Sequence, residues 1–531
     1  MATTITKYDP VISTLGAPQP AWVSDPDDKV RVAAYDAYDN MYANAPGTFR
    51  LAMRGTNDKP VYIPSTRRLI EATNRYLGKN WQYTLTSISG NAQDVIEGKA
   101  WLDRVYALTH AHSKFYSFKR NMLIKGDAVF HVVADLSKPS GSRIRVLELN
   151  PRTYFRIEDP TDPEELQGVY IVNLITTGEQ ATQVAVRQSY RYVTVGGKRK
   201  VQSQLAFFEP GFWDDRWAGH PALKPVPIPV EWDTPDTRSK MAGQMLPDSV
   251  TTIPVYHGVN NRADEDPYGA SEISGIESVI ASLNQSMSDE DITLALQGLG
   301  LYVTTASAPI NADTGEQEDW LIAPGYVIEI QPGTEMKRVD GLPHLVPFQQ
   351  HMQSLTDSMD KASGVTATAV GSVDVTVAAS GVALRLDMAP ILAKNMEKEV
   401  ELIAVLDNMG QDLLDQWAKV DGVPVAEDLL VTNTFDDPLP IDRAGIVTEV
   451  TALVGKGLMS RAFAVTYLKS KLGYDFPDDM LDQINADIDK ESARLAQEIA
   501  SQQTFPSLAA GDPGTGDGSV APQDSLTGAN A

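Results

Sequence analysis

Apolar and aromatic positions recur at helical spacing over residues 27–44, where Val30, Ala34, Tyr35, Tyr38, Met41 and Tyr42 predict a first amphipathic helix. Residues 66–77 and 92–125 read the same way, the second holding Phe115, Tyr116 and Phe118. The period then changes. Gly126-Asp127 opens a Val-rich run over 128–136, and 143–149 alternates polar with apolar but slips one residue out of phase at Leu147, which suggests a bulge. Strands are expected at 154–157, 169–175, 184–195 and 204–208, a mainly antiparallel sheet region. Helix returns at Pro267, with Ile273, Ile276, Val279, Ile280, Leu283 and Met287 on one stripe opposite Ser, Asn, Gln and acids.

After Gly298 and Gly300 come strand-like pieces at 301–305 and 320–330, joined by turn residues at 311–315, and then a second helix over 346–362 with Leu355 and Met359 as apolar contacts. A small β-module therefore sits at the tip of a helical hairpin. Residues 364–380 are Gly, Ala, Val, Thr and Ser with one charge, Asp374; they read as a mobile loop, with a β-hairpin over 374–377 as the alternative. A long helical pattern follows over 381–420, which Pro390 either kinks or starts. Helices are expected at 442–456, 460–472 (Ser460 as N-cap) and 477–500, and the Gly-, Pro- and Ser-rich stretch 504–531 predicts disorder.

Composition sharpens this picture. The 531 residues are 42% hydrophobic, enough for a folded protein of several domains, and the formal charge of −25 argues against sequence-independent nucleic-acid binding through clustered cations. There is no cysteine, so disulfides and thiolate chemistry are excluded. Residues 1–10 lack a basic stretch followed by an apolar one, and no apolar run is long enough to span a bilayer, so a soluble protein made in the cytoplasm is expected. Between Arg262 and Lys337 there is no Lys or Arg, while fourteen Asp and Glu fall there, from Asp264 to Glu335. That block repels any polyanion it faces.

Catalytic chemistry is not visible. No phosphate loop, H-E-x-x-H, G-x-S-x-G or G-x-G-x-x-G is present. His110 and His112 lie two apart, not at the spacing that puts two ligands on one helical face. Asp313-Thr314-Gly315 lacks the second triplet that an aspartic protease needs and reads as a turn, and Asp436-Asp437 and Asp478-Asp479 lack the order of a calcium loop. The chain is expected not to be an enzyme and to need no metal or other cofactor.

Several motifs, in order, resemble those of tailed-bacteriophage portal proteins, particularly of phages infecting actinobacteria. Lys125-Gly126-Asp127-Ala128-Val129 followed by Leu149-Asn150-Pro151-Arg152 resembles the family's wing strands. Pro267-Tyr268-Gly269-Ala270-Ser271-Glu272-Ile273, with Leu283-Asn284-Gln285-Ser286 and Asp289-Glu290-Asp291, is similar to its first stem helix, and 320–332, with Pro324-Gly325, to its clip strands. Ala379-Ser380-Gly381-Val382-Ala383-Leu384-Arg385 resembles the passage from tunnel loop to long wing helix, and Asp437-Pro438-Leu439-Pro440-Ile441-Asp442-Arg443 the junction into the crown.

The resemblance implies an α+β portal fold: an arm (1–26), a mixed α/β wing (27–262), a helical-hairpin stem (263–297 and 346–363), a small β-rich clip (298–345), a tunnel loop (364–380), a long wing helix returning to the wing (381–440), an α-helical crown (441–502) and a disordered tail (503–531). It implies a ring, usually a homododecamer, at one capsid vertex of the virion, assembled in the bacterial cytoplasm and passing double-stranded DNA during packaging and ejection. Implied partners are the large terminase, a head-tail adaptor, the major capsid protein and a scaffold, with no membrane. Thr366, Thr368, Val370, Ser372, Asp374, Thr376 and Ser380 would lie near DNA, Glu277, Asp289, Glu290 and Asp291 would face the channel, and Gln317, Glu318 and Trp320 would meet partners at the clip. The alternative is another virion structural protein, capsid-associated or of the tail, without a DNA channel.

Overall fold

The computed structural model describes residues 15–52, 60–159, 161–162, 165–262, 266–299, 301–310, 315–317, 320, 330–339, 346–371, 381–439, 443–473, 476–477 and 479–502. Helix α1 (Pro26–Ala43) starts where the Asp25 carboxylate accepts from the Asp27 and Asp28 amides and stops at Asn44, whose left-handed backbone ends the hydrogen-bond ladder. Helix α2 (Ser65–Tyr76) follows. The stretch expected as one helix over 92–125 is two, α3 (Ala92–Thr109) and α4 (Ala111–Lys125), because His110 turns left-handed (φ 52°) between them. Periodicity survives such a break, since both helices bury apolar faces in the same core.

Strand β1 is Gln82–Ser87 and β2 is Asp127–Ala134. β2 is buried on both faces: Phe130 stacks on Phe118 of α4 with ring centroids 4.2 Å apart, while Val129 joins a second apolar cluster. It pairs with β3 (Ile144–Leu149) and with β9 (Val255–Val259), both antiparallel. The β2–β3 register runs unbroken from Val129↔Leu149 to Ala134↔Ile144, so the expected bulge is absent there; an irregularity lies instead between Ile157 and Glu158. The phase slip marks a strand end that leaves the core. The larger sheet is antiparallel in the order β4 (Tyr154–Glu158), β5 (Leu166–Thr177), β6 (Thr182–Val195), β7 (Lys198–Phe208), β8 (Gln244–Met245), with a short helix α5 (Pro235–Met241) beside it.

In the cluster shared by β2 and this sheet, His131 is 3% exposed and its Nε2 lies 2.9 Å from the Tyr190 hydroxyl. Burial pushes its pKa down to about 4. The unfolded chain therefore binds one more proton below pH ~6.5, and stability should fall by about 3 kcal/mol between there and pH ~4. Denaturant titrations of wild type and His131→Leu across that window should show the slope flattened in the variant.

Helix α6 (Glu277–Leu299) begins ten residues later than expected: residues 266–276 are turns, with Gly275 left-handed (φ 90°) just before the helix. Ile273 and Ile276 still enter the core, which is why the stripe looked continuous. Beyond α6 come β10 (Leu301–Thr304), paired antiparallel with β11 (Met336–Val339), and then α7 (Val346–Ser363). The rest of the expected clip strand at 320–330 lies almost wholly outside the described residues, as do residues 374–377.

Helix α8 (Gly381–Asp412) runs through Pro390, so the proline is not its start. Pro390 and Leu386 are both exposed, which lets water reach the Leu386 carbonyl that the proline leaves without an amide. A π-turn (Leu413–Trp417) and a last turn (Ala418–Asp421) lead to β12 (Leu429–Thr434), which pairs with β1; this two-stranded sheet had no signal in the alternation pattern. Residues 440–531 form a separate compact unit with α9 (Arg443–Gly455), α10 (Arg461–Leu472, capped by the Ser460 hydroxyl) and α11 (Met480–Gln502). Among the described residues no helix is long and apolar enough to cross a membrane.

Candidate functional site: the root of the helical hairpin

Two motifs far apart in sequence meet at the root of the α6–α7 hairpin. Gly126 closes α4 in a left-handed turn (φ 93°), and Gly269 packs directly on it: a Cβ on Gly269 would lie 2.0 Å from the Gly126 carbonyl oxygen and 2.4 Å from that of Asn260. The backbones are stitched together by Asn260 N–H donating to Gly126 O at 2.7 Å and Ala270 N–H to Asn260 O at 2.8 Å. Asp127, fully buried, accepts at one oxygen from the Gly269 amide (2.9 Å) and His257 Nε2 (2.7 Å) and at the other from the Tyr35 hydroxyl. Burial pulls His257 down, so the neutral ring donates through Nε2 to this carboxylate. Arg31 lies 4.0 Å from the Tyr268 ring centroid and is held by Asp28 at 2.6 Å. The segment entering the hairpin is thus fixed to α1, β2 and β9 together.

A buried ionic cluster fixes the same segment to α8. Glu272 accepts from Lys394 at one oxygen and from Lys398 at 2.7 Å at the other; Lys398 also donates to Asn260 and Asn261, at 2.6 and 2.7 Å. Two ammonium groups outweigh the desolvation of the carboxylate and hold Glu272 down to about 2. Lys394 donates in addition to the Ser363 carbonyl at 2.7 Å, so one side chain ties the start of the hairpin to its end. Sequence reasoning missed both lysines. The available signal was their i, i+4 spacing inside an apolar helical pattern, where buried cations require an acid.

Of the acids expected to face a channel, Glu277 is 1% exposed, accepts from the Tyr38 hydroxyl at 2.9 Å and from Gly275 N–H at 2.8 Å, and so anchors the hairpin from inside the fold. Glu290 is 7% exposed and also inside it. Asp289 is half-buried and accepts from Gln285, and Asp291 is exposed. The polar face of α6, expected to meet solvent, instead holds a length of backbone: Asn284 and Ser288 accept from the Ile63 and Val61 amides at 2.6 and 3.0 Å, and Gln285 from that of Ala52 at 2.6 Å. Asn and Ser are chosen there because an extended segment brings unpaired amides.

The loop expected to lack apolar anchors has them. Val365 and Ala369 are buried, Val370 packs on the same core, and the Thr366 hydroxyl accepts from the Ala369 amide; Thr368 is half-buried. Ser372, Asp374, Thr376 and Ser380 lie outside the described residues, as does Glu318; Gln317 is exposed beside Ile310 and Trp320 is half-buried. Arg385, from the motif opening α8, pairs with Asp437 of the last motif at 2.7 Å.

Nothing in these contacts forms a reaction centre. The one cluster of three acids that lies close enough to share a cation among the described residues, Asp25, Asp28 and Asp214, already holds Arg216, paired with Asp28 and at 2.8 Å with Asp214. The root is a mechanical joint: it sets the angle at which a thin hairpin leaves the body.

No protein-family description and no curated protein matches this sequence. Solved structures with some likeness include a chain of the "Virion of native gene transfer agent (GTA) particle" (TM-score 0.42, 13% identity, covering 89% of this chain and 100% of that one). Others are chains of the "Neck of native GTA particle computed with C12 symmetry" (0.41, 14%, 86% and 96%) and the "Neck of empty GTA particle computed with C6 symmetry" (0.43, 13%, 87% and 97%). At these scores the likeness carries none of the reasoning that follows.

Proposed function

We propose that this chain is the ring-forming subunit of a portal at one capsid vertex of a phage-like particle, a conduit for double-stranded DNA and a platform for the packaging terminase and head-tail adaptor. The observation that carries the reading is the junction of the Gly126-Asp127 and Tyr268-Gly269 motifs, which the sequence resemblance assigns to wing and stem and which here hold a helical hairpin rigidly on a mixed α/β body. A thin hairpin buries little by itself and wants neighbours. Its flank keeps an open cleft of about 260 Å³ lined by Leu283, Met287, Met352 and Met359, adaptable apolar surface of the kind that copies of a ring cover. The stretch 263–336, devoid of Lys and Arg, would offer DNA no counterion-releasing contact and so let it slide. With Glu277 and Glu290 inside the fold, Asp289 and Asp291 remain as acids for such a surface.

Light scattering on the purified chain, with negative-stain images of the same peak, is expected to give about 0.7 MDa, twelve copies of a 57.8 kDa chain, around a central hole. Compact monomers persisting across salt and protein concentration would sink the portal reading and favour a virion component without a channel.

A further inference from the structure

The acidic stretch has a mirror image in the same chain. Between Glu179 and Glu209 there is no Asp or Glu, and five Lys and Arg fall there: Arg187, Arg191, Lys198, Arg199 and Lys200. This segment is the β6–β7 ribbon. Pairing with β5 stops at Gly168↔Arg191, and beyond it the strands run on to Val195↔Lys198 and the Gly196-Gly197 turn, paired to each other. The register puts Arg187, Arg191, Lys200 and Lys198 on one face, since residues opposite in an antiparallel pair, and those two apart, point the same way. Arg199 is on the other face with its guanidinium 3.6 Å from the Tyr192 ring centroid, and the Tyr192 hydroxyl accepts from Ile253 N–H at 3.2 Å, which braces the ribbon. Arg191 and Arg199 keep about half of their side-chain surface exposed, 47% and 53%.

We infer that this basic ribbon is an interaction surface for a second copy of the chain, taking the acidic 263–336 stretch of its neighbour; the inference rests on the ring reading. Charge complementarity argues for it, because the two blocks of opposite sign occur once each in every copy, and a head-to-tail interface repeated round a ring needs two different matching patches on each subunit. The ribbon's own ion pairs run to acids outside that stretch, Asp215 (3.3 and 3.4 Å), Asp248 (2.7 Å) and Glu165 (3.0 Å), and exposed pairs of this kind exchange readily for others. Those same acids leave too little net positive charge for phosphate binding, which favours a carboxylate-bearing protein surface over nucleic acid.

The test is zero-length carbodiimide crosslinking of full-length chains co-assembled from ¹⁵N-labelled and unlabelled protein. Trypsin leaves 263–337 as one fragment, because it contains no internal Lys or Arg. Mixed-isotope crosslinks from Lys198 or Lys200 to that fragment are expected. In Arg191→Glu/Arg199→Glu they should fall severalfold, while the same-chain Lys200–Asp248 crosslink persists as proof of folding. Ring-sized particles giving only same-isotope crosslinks, or crosslinks to acids elsewhere, would overturn this inference and leave the ring standing; monomers alone would remove both. Duplex DNA retained by wild type and lost by the variant at equal salt would overturn it in favour of a nucleic-acid surface.

Discussion

Glu272→Ala should lower the stability of the 1–439 unit by about 3–5 kcal/mol, because it leaves two ammonium groups, one of them 4% exposed, without their counter-charge. Denaturant unfolding followed by tryptophan fluorescence reads this directly. The triple change Glu272→Leu/Lys394→Met/Lys398→Met should cost far less, since removing a buried ion cluster whole also removes its desolvation. The pH dependence carries the opposite limb of the same argument. Glu272 is depressed to about 2, so its contribution is present above the ordinary carboxyl range and is lost as pH falls from ~4.5 toward 2. A variant as stable as wild type at pH 7 would show that the cluster holds nothing.

The second large effect is expected from Gly269→Ala. The added methyl would sit 2.0 Å from Gly126 O and 2.4 Å from Asn260 O, and both oxygens belong to backbone that cannot rotate away. A loss of about 3 kcal/mol, the upper end of overpacking, is expected in thermal melts. Gly275→Ala is the control: its Cβ meets nothing within 4 Å, so only the left-handed backbone (φ 90°) is strained, at about 1–2 kcal/mol. Equal effects at the two positions would contradict the close approach. Both Glu272→Ala and Gly269→Ala act on the joint and not on the hairpin surface, so rings that still form should show a wider spread of subunit number.

These residues explain what could be read early. Tyr268-Gly269 and Lys125-Gly126-Asp127 were visible as motifs, yet no linear signal said that Gly126 and Gly269 touch. The motif acid Glu272 was visible, whereas its partners Lys394 and Lys398 looked like solvated positions on a helix. Glu277 and Glu290 looked like surface acids because charge in a sequence carries no depth; Tyr38 in α1, distant in sequence, is what makes Glu277 an internal group.

The sequence by itself determined the kinds and approximate order of the elements, since helical and alternating periods are local properties of apolar spacing: α1, α2, the β4–β7 meander, the hairpin helices and α8 all follow from it. It also determined the charge layout, with one stretch lacking bases and another lacking acids. Tertiary structure alone decided the break at His110, where a left-handed residue leaves the apolar period intact, and the pairing of β1 with β12, which joins segments more than three hundred residues apart. It alone decided which charges are buried and what holds the hairpin, because burial and long-range pairing depend on which surfaces the whole chain brings together.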